Sequence, residues 1–109
     1  MSEGEESARL DKWLWAVRIF KTRALAAKII SGKSPRIARN GQTLRTDKPG
    51  FKLRIGDQVT VMRGKELFVL EVLDLPGRRV SAPEAQSCYI NHAEGEESHA
   101  RPSTEQPTR

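Results

Sequence analysis

The sequence predicts an α+β domain: two N-terminal helices packed on a small twisted antiparallel sheet, with a short C-terminal helix following. Leu10, Trp13, Leu14 and Val17 recur at i, i+3, i+4 and i+7, one apolar stripe at the helical period. Leu25, Ala26, Ile29 and Ile30 give a second segment an apolar face of its own. Further on, Val59 and Val61 alternate with Thr60 and Met62, and after Arg63-Gly64-Lys65 Leu67 and Val69 alternate with Glu66, Phe68 and Leu70 before Val72 continues the run, the pattern of a hairpin.

Each element has a local reason. The first helix starts at Leu10 and is expected to fail near Phe20-Lys21, because Thr22 can N-cap a second helix. That second helix, residues 23–31, is rich in strong helix formers, and Gly32 stands where a C′ glycine would end it. Neither helix is long enough to be stable alone, so both stripes must pack on something else. Arg36–Arg39 leads into Asn40-Gly41, a dipeptide suited to a tight turn with positive φ. Leu53–Ile55 reads as a short extended stretch closed by Gly56-Asp57. The expected order is α–α–β–β–β, with residues 82–90 adding a short helix that has Pro83 at its first position. Residues 1–8 read as a flexible acidic N-terminus, 9–91 as the domain, and 92–109, almost without apolar residues, as a disordered tail.

Charge is distributed unevenly over the 109 residues, whose formal net charge is +5. Residues 8–82 hold 17 Lys or Arg against 6 Asp or Glu, whereas the segments on either side are net acidic. A basic folded segment attracts polyanions, nucleic acid first among them. Cys88 is the only cysteine, so no intrachain disulfide can form, which fits a reducing compartment. The opening Glu3, Glu5 and Glu6 are the reverse of a basic signal-peptide start, and no apolar run approaches a membrane span. A cytoplasmic protein without a membrane partner is expected.

Catalysis needs several roles filled together. His92 and His99 fall at or within the expected tail, Cys88 has no Cys or His at metal-ligand spacing, and no phosphate-binding or dinucleotide glycine loop is present. Asp47, Asp57, Glu66, Glu71 and Asp74 mostly suit turns or alternating strand positions, and Asp11 suits the positive end of a helix dipole. The expectation is no catalytic residue, no metal and no cofactor.

The basic residues are more selective. Lys12 and Arg18 lie off the apolar stripe of the first helix, Lys21 and Arg23 crowd the corner, and Lys28 follows on the second helix. Lys33 stands just after that helix, and Arg36 and Arg39 come on the next extended stretch. If the helices pack as expected, these cations converge near one edge. Thr22 and the free N–H groups opening the second helix are also able to meet a phosphate. Any one of these residues alone is an ordinary solvated charge, and it is their convergence that points to a nucleic-acid site. Trp13 is a core residue by its place on the stripe. Trp15, off the stripe, is read as packing ahead of base stacking, and Phe20 as a corner anchor. No aromatic pair on a strand forms a stacking platform, so shape and phosphate geometry are expected to dominate over base identity.

Arg9-Leu-Asp-Lys-Trp-Leu-Trp-Ala-Val-Arg18, Lys21-Thr-Arg, Ile30-Ser-Gly-Lys33 and Asn40-Gly-Gln42 together resemble the S-four type RNA-binding domain family. The Leu-Asp-Lys-Trp-Leu-Trp run and Pro83-Glu-Ala-Gln86 look most like its ribosome-associated heat-shock branch. The resemblance covers about residues 9–90. It implies the αL motif of two helices on a small sheet and binding to structured RNA, in this branch the ribosomal RNA of large subunits stalled with peptidyl-tRNA, which it helps recycle. By motif position it carries RNA contact to Arg9, Lys12, Arg18, Lys21, Thr22, Arg23, Lys28 and Lys33, with Arg39 and Asn40 on the adjoining loop. The chain departs from the family in having six residues, Ser34–Arg39, between Lys33 and Asn40, and in a short acidic-to-neutral tail where the branch has a long basic extension. A monomer is expected, with tRNA as a further contact. Competing readings are a general nucleic-acid binder acting on duplex DNA and a protein-interaction module with an incidental basic surface.

Overall fold

The computed structural model describes residues 6–93. Their order is β1 (Ala8–Arg9), α1 (Leu10–Ala16), α2 (Arg23–Lys33), β2 (Arg36–Arg39), β3 (Gln42–Arg45), β4 (Lys52–Leu53), β5 (Gln58–Arg63), β6 (Glu66–Val72), α3 (Ala82–Ala85) and β7 (Tyr89–Asn91). The α+β class and the helices-on-sheet arrangement match the sequence expectation. Five strands form an antiparallel sheet in the order β3-β2-β5-β6-β7, and β1 pairs with β4 in a separate two-stranded ribbon.

The stripe of α1 is the centre of the core: Leu10, Trp13 and Leu14 are fully buried and Val17 nearly so. They share one cluster with Ala26 and Ile30 of α2 and with Ile37, Val59 and Leu70, which lie opposite one another across β2, β5 and β6. Burying such side chains contributes about 1.5–3 kcal/mol each. The N–H groups of Leu10 and Asp11 donate to the carbonyls of Phe51 (2.9 Å) and Pro49 (3.1 Å), so the 49–51 loop satisfies the start of α1 in place of a side-chain cap.

Helix α1 ends at Ala16, four residues short of the expected Phe20. The cause is a Schellman turn: Arg18 N–H donates to Trp15 O (3.0 Å) and Ile19 N–H to Leu14 O (2.9 Å), with Arg18 itself left-handed at φ 67°. The turn drives Ile19 and Phe20 into the core, a demand of tertiary packing that a 3.6-residue period does not encode.

Thr22 caps α2 as expected, its Oγ1 accepting from Leu25 N–H at 3.0 Å. The helix then passes through Gly32 and stops at Lys33, with Ser34 left-handed at φ 50°. The stop is set by Pro35, which disfavours helical backbone in the residue before it and cannot continue the ladder. Leu25 turns away from the core and is 40 % exposed, so the apolar face of α2 is narrower than its composition suggested.

Asn40-Gly41 adopts positive φ at both residues (52° and 79°) and joins β2 to β3. The β5–β6 hairpin closes through Gly64, and Arg63 already pairs with Glu66. Strands β3 and β7 extend the sheet beyond the expectation. The expected 82–90 helix is four residues long, capped by Ser81 with Pro83 in its first turn. After it, the chain supplies β7 to the open backbone edge of β6 at Leu70–Val72. The expected flexible N-terminus and disordered tail fall largely outside the described residues; within them, His92 Nε2 lies 2.9 Å from Glu71 Oε1 and Ala93 is buried.

Candidate nucleic-acid interface

Asp11 organises the basic surface. It occupies the first turn of α1, is 4 % exposed, and has its Oδ1 fixed by Lys12 N–H at 2.7 Å. Arg9 grips it with two parallel bonds, Nε to Oδ1 and Nη2 to Oδ2, each 3.1 Å. Arg23, the first residue of α2, brings Nη2 to 3.7 Å from the same Oδ1. Burial pushes the Asp11 carboxyl up, but the Arg9 hydrogen bonds and charge, the Lys12 N–H and the Arg23 charge together hold it below the usual carboxylate range. Both arginine side chains remain about half exposed, at 52 % and 45 %. A buried anion therefore holds two outward-facing guanidinium groups in register.

The ribbon continues through β4. Arg9 lies opposite Lys52 across the β1–β4 ladder, and the Lys52 carbonyl accepts from Arg39 Nη2 at 2.9 Å. Lys12 joins Arg9 and Lys52 in lining a cleft of about 310 Å³ against Leu75, Pro76 and Gly77. Lys21, Thr22 and Arg23 are exposed around the N-terminus of α2, and Lys28 is exposed further along it. Lys33 lies at the other end of α2, where it faces Arg36 and Arg45 across a second cavity.

Besides Lys33, two further sequence-derived positions lie outside the Asp11 cluster. Arg18 donates through Nη1 to Val80 O (3.1 Å) and lines a separate cleft with Arg63, Tyr89 and Asn91, away from the Asp11 cluster. Arg39 binds the buried Asp57 in a fork, Nε to Oδ1 at 2.8 Å and Nη2 to Oδ2 at 2.7 Å, and lies over the Phe51 ring at 5.4 Å. Asn40 is exposed in the hairpin turn. Lys48 and Lys52 escaped the sequence reading, although Lys48-Pro-Gly-Phe-Lys52 carries two cations in one short loop. Only the pairing of β4 with β1 shows that the loop returns to Arg9.

Trp13 is fully buried, its Nε1 donating to Asp74 O at 2.8 Å. Trp15 is half-buried, with the Arg79 guanidinium 6.0 Å from its ring centre. The Cys88 thiol is buried and pushed up by that burial and by Asp74 and Glu84. Among the described residues no three His, Cys, Asp or Glu side chains group to hold a metal, and no helix is long and apolar enough to cross a membrane.

Fold and surface together define a small basic α+β protein in which a helical pair on a sheet presents two arginines held by Asp11 among exposed lysines. No family model matches the chain. It is 40 % identical over 88 residues to the heat shock protein 15 homologue of Aeromonas salmonicida, covering 81 % of this chain and 63 % of that protein. To heat shock protein 15 of Escherichia coli K12 it is 37 % identical over 89 residues, again 63 % of the relative, so the chain spans less than two thirds of these curated relatives. A solved structure of Vibrio cholerae heat shock protein 15, described as trimeric, superposes with a TM-score of 0.69 at 36 % identity, covering 88 % of this chain and 92 % of that one. The chain belongs to the heat shock protein 15 family.

Proposed function

We propose that this protein is a cytoplasmic, non-enzymatic RNA-binding protein that grips structured RNA through phosphate contacts from the ribbon running from α2 to β4. The observation that carries the reading is the buried Asp11 holding Arg9 and Arg23 together at the start of α2. Ordering two arginines in advance lowers the entropic cost of engaging adjacent phosphates, and Lys12, Lys21, Lys28 and Lys52 add mobile charge around them. What the resemblance to the heat-shock branch of the S-four family implies extends this reading to large-subunit ribosomal RNA and to recycling of stalled subunits that carry peptidyl-tRNA.

The test is crosslinking in cells followed by sequencing of the attached RNA, with ribosomal subunits resolved on a gradient. Crosslinks concentrated in large-subunit RNA are expected, and they should be lost in the Lys21→Ala, Arg23→Ala, Lys28→Ala triple variant while its circular-dichroism spectrum is unchanged. Crosslinks scattered over unrelated RNA, or retained in the triple variant, would overturn the assignment. Titration against duplex DNA separates RNA preference from general polyanion binding.

A further inference from the structure

The face of the sheet turned away from the helices carries a second concentration of charge. Arg36 on β2 stands directly opposite Arg45 on β3, and Thr60 of β5 flanks Arg36 on its other side. Like charges directly opposed across a ladder are destabilising. Here the repulsion is increased by Lys33, which shares a cavity of about 170 Å³ with Ser34, Pro35, Arg36, Arg45, Thr60 and Met62. Among the described residues, none of these three cations forms an ion pair. Arg45 Nε donates to Ser34 O at 3.1 Å, which anchors its guanidinium at the rim and leaves the two terminal nitrogens for another acceptor. The C-terminus of α2 opposes an anion at this place, but its roughly half charge is small beside three full positive charges.

We propose that this cavity binds a phosphate of an RNA strand that passes from the helical-pair face, along α2, onto the outer face of the sheet. The inference rests on the RNA-binding reading above and adds a contact to it. The cavity is well below the roughly 300–1,000 Å³ of small-molecule sites, and its polar donors converge from three strands and a helix end. Thr60 offers a hydroxyl, while Pro35 and Met62 give an apolar wall for the adjoining sugar. Ten helical steps of about 1.5 Å each put Arg23 and Lys33 about 15 Å apart, so a strand held at the Asp11 cluster needs only a few nucleotides to arrive.

The full chain is titrated with a labelled hairpin RNA bearing a single-stranded flank, over a series of salt concentrations. The Arg36→Gln, Arg45→Gln double variant should bind about five- to twenty-fold more weakly near physiological salt, with the log–log salt slope shallower by about 1–2. Its melting temperature should be equal or higher, because the opposed charges are gone. The Arg36→Lys, Arg45→Lys variant keeps the charge and should recover most of the slope. Wild-type affinity and slope in the Gln variant would overturn the proposal, and if the Lys21, Arg23, Lys28 triple variant weakens binding in parallel, the RNA-binding reading itself stands. Loss of neither binding nor slope in both variants would instead overturn that reading.

Discussion

Asp11 and Arg9 form a two-bond fork, both contacts at 3.1 Å, in which the acid is buried and the arginine half exposed. Each partner's place depends on the other. Without Arg9 and Arg23 the carboxylate is desolvated with only the Lys12 N–H for company, and without Asp11 the two guanidinium groups are free to move apart in water.

Asp11→Asn should therefore affect both fold and binding. Because the arginines are able to resolvate, the stability loss should fall at the scale of hydrogen bonds to charged groups, about 1.5–3 kcal/mol. At about 4–8 °C per kcal/mol for a domain of this size, the melting temperature should drop by roughly 6–24 °C. RNA affinity measured below that transition should also fall, although no cation has been removed. A variant that melts lower but binds RNA as the wild type does would confine Asp11 to the fold.

The same carboxylate sets a pH dependence. Its folded-state pKa lies below the usual value, whereas unfolded it titrates near 3.9. In that window the unfolded chain binds more protons, so the stability from Asp11 is complete above about pH 4 and is lost as pH falls through the lowered folded value. The gap in melting temperature between wild type and Asp11→Asn should be constant from pH 7 to about 5 and close below 4. A gap that widens in acid would contradict the ion-pair account.

Arg39 is bound up in the fold more than it is offered to a ligand. It forks onto Asp57, which is 2 % exposed and also accepts from Arg54 N–H at 2.8 Å. Arg39→Ala takes the two-bond guanidinium partner from that buried acid, a loss of up to about 3–5 kcal/mol for a buried pair broken on one side. Thermal melts should show Arg39→Ala as more damaging than Lys28→Ala, while the salt slope of RNA binding changes more for Lys28→Ala. The reverse ranking would return Arg39 to the interface.

Arg18 occupies a Schellman position that favours glycine, at φ 67°. Arg18→Ala keeps the strain and removes the hydrogen bond to Val80, whereas Arg18→Gly removes both. Their comparison isolates the backbone, and Arg18→Gly should be more stable than Arg18→Ala by about 1 kcal/mol. Equal melting temperatures would mean that the left-handed turn carries no strain.

The stripe Leu10–Trp13–Leu14–Val17, the Thr22 cap, the Asn40-Gly41 turn and the β5–β6 hairpin were all legible because each rests on local periodicity or one residue's preference. The end of α1 was not, since burial of Ile19 and Phe20 in the shared core outweighs the helical period. Gly32 misled for a complementary reason: a proline two residues after the helix decides the stop more firmly than a glycine within it. Strand β3 has four exposed residues and no apolar alternation, and β7 exists only to complete the edge of β6. In the basic surface, residue type was legible and direction was not. Lys52 reaches the ribbon, and Arg18 leaves it, through long-range pairing that spacing alone cannot reveal.

The most direct measurement is the affinity of the full chain for structured ribosomal RNA over a range of salt. A ribbon engaging about six phosphates predicts that log affinity falls with log salt at a slope of roughly −4 to −5. An affinity nearly independent of salt would contradict a phosphate grip built on these cations.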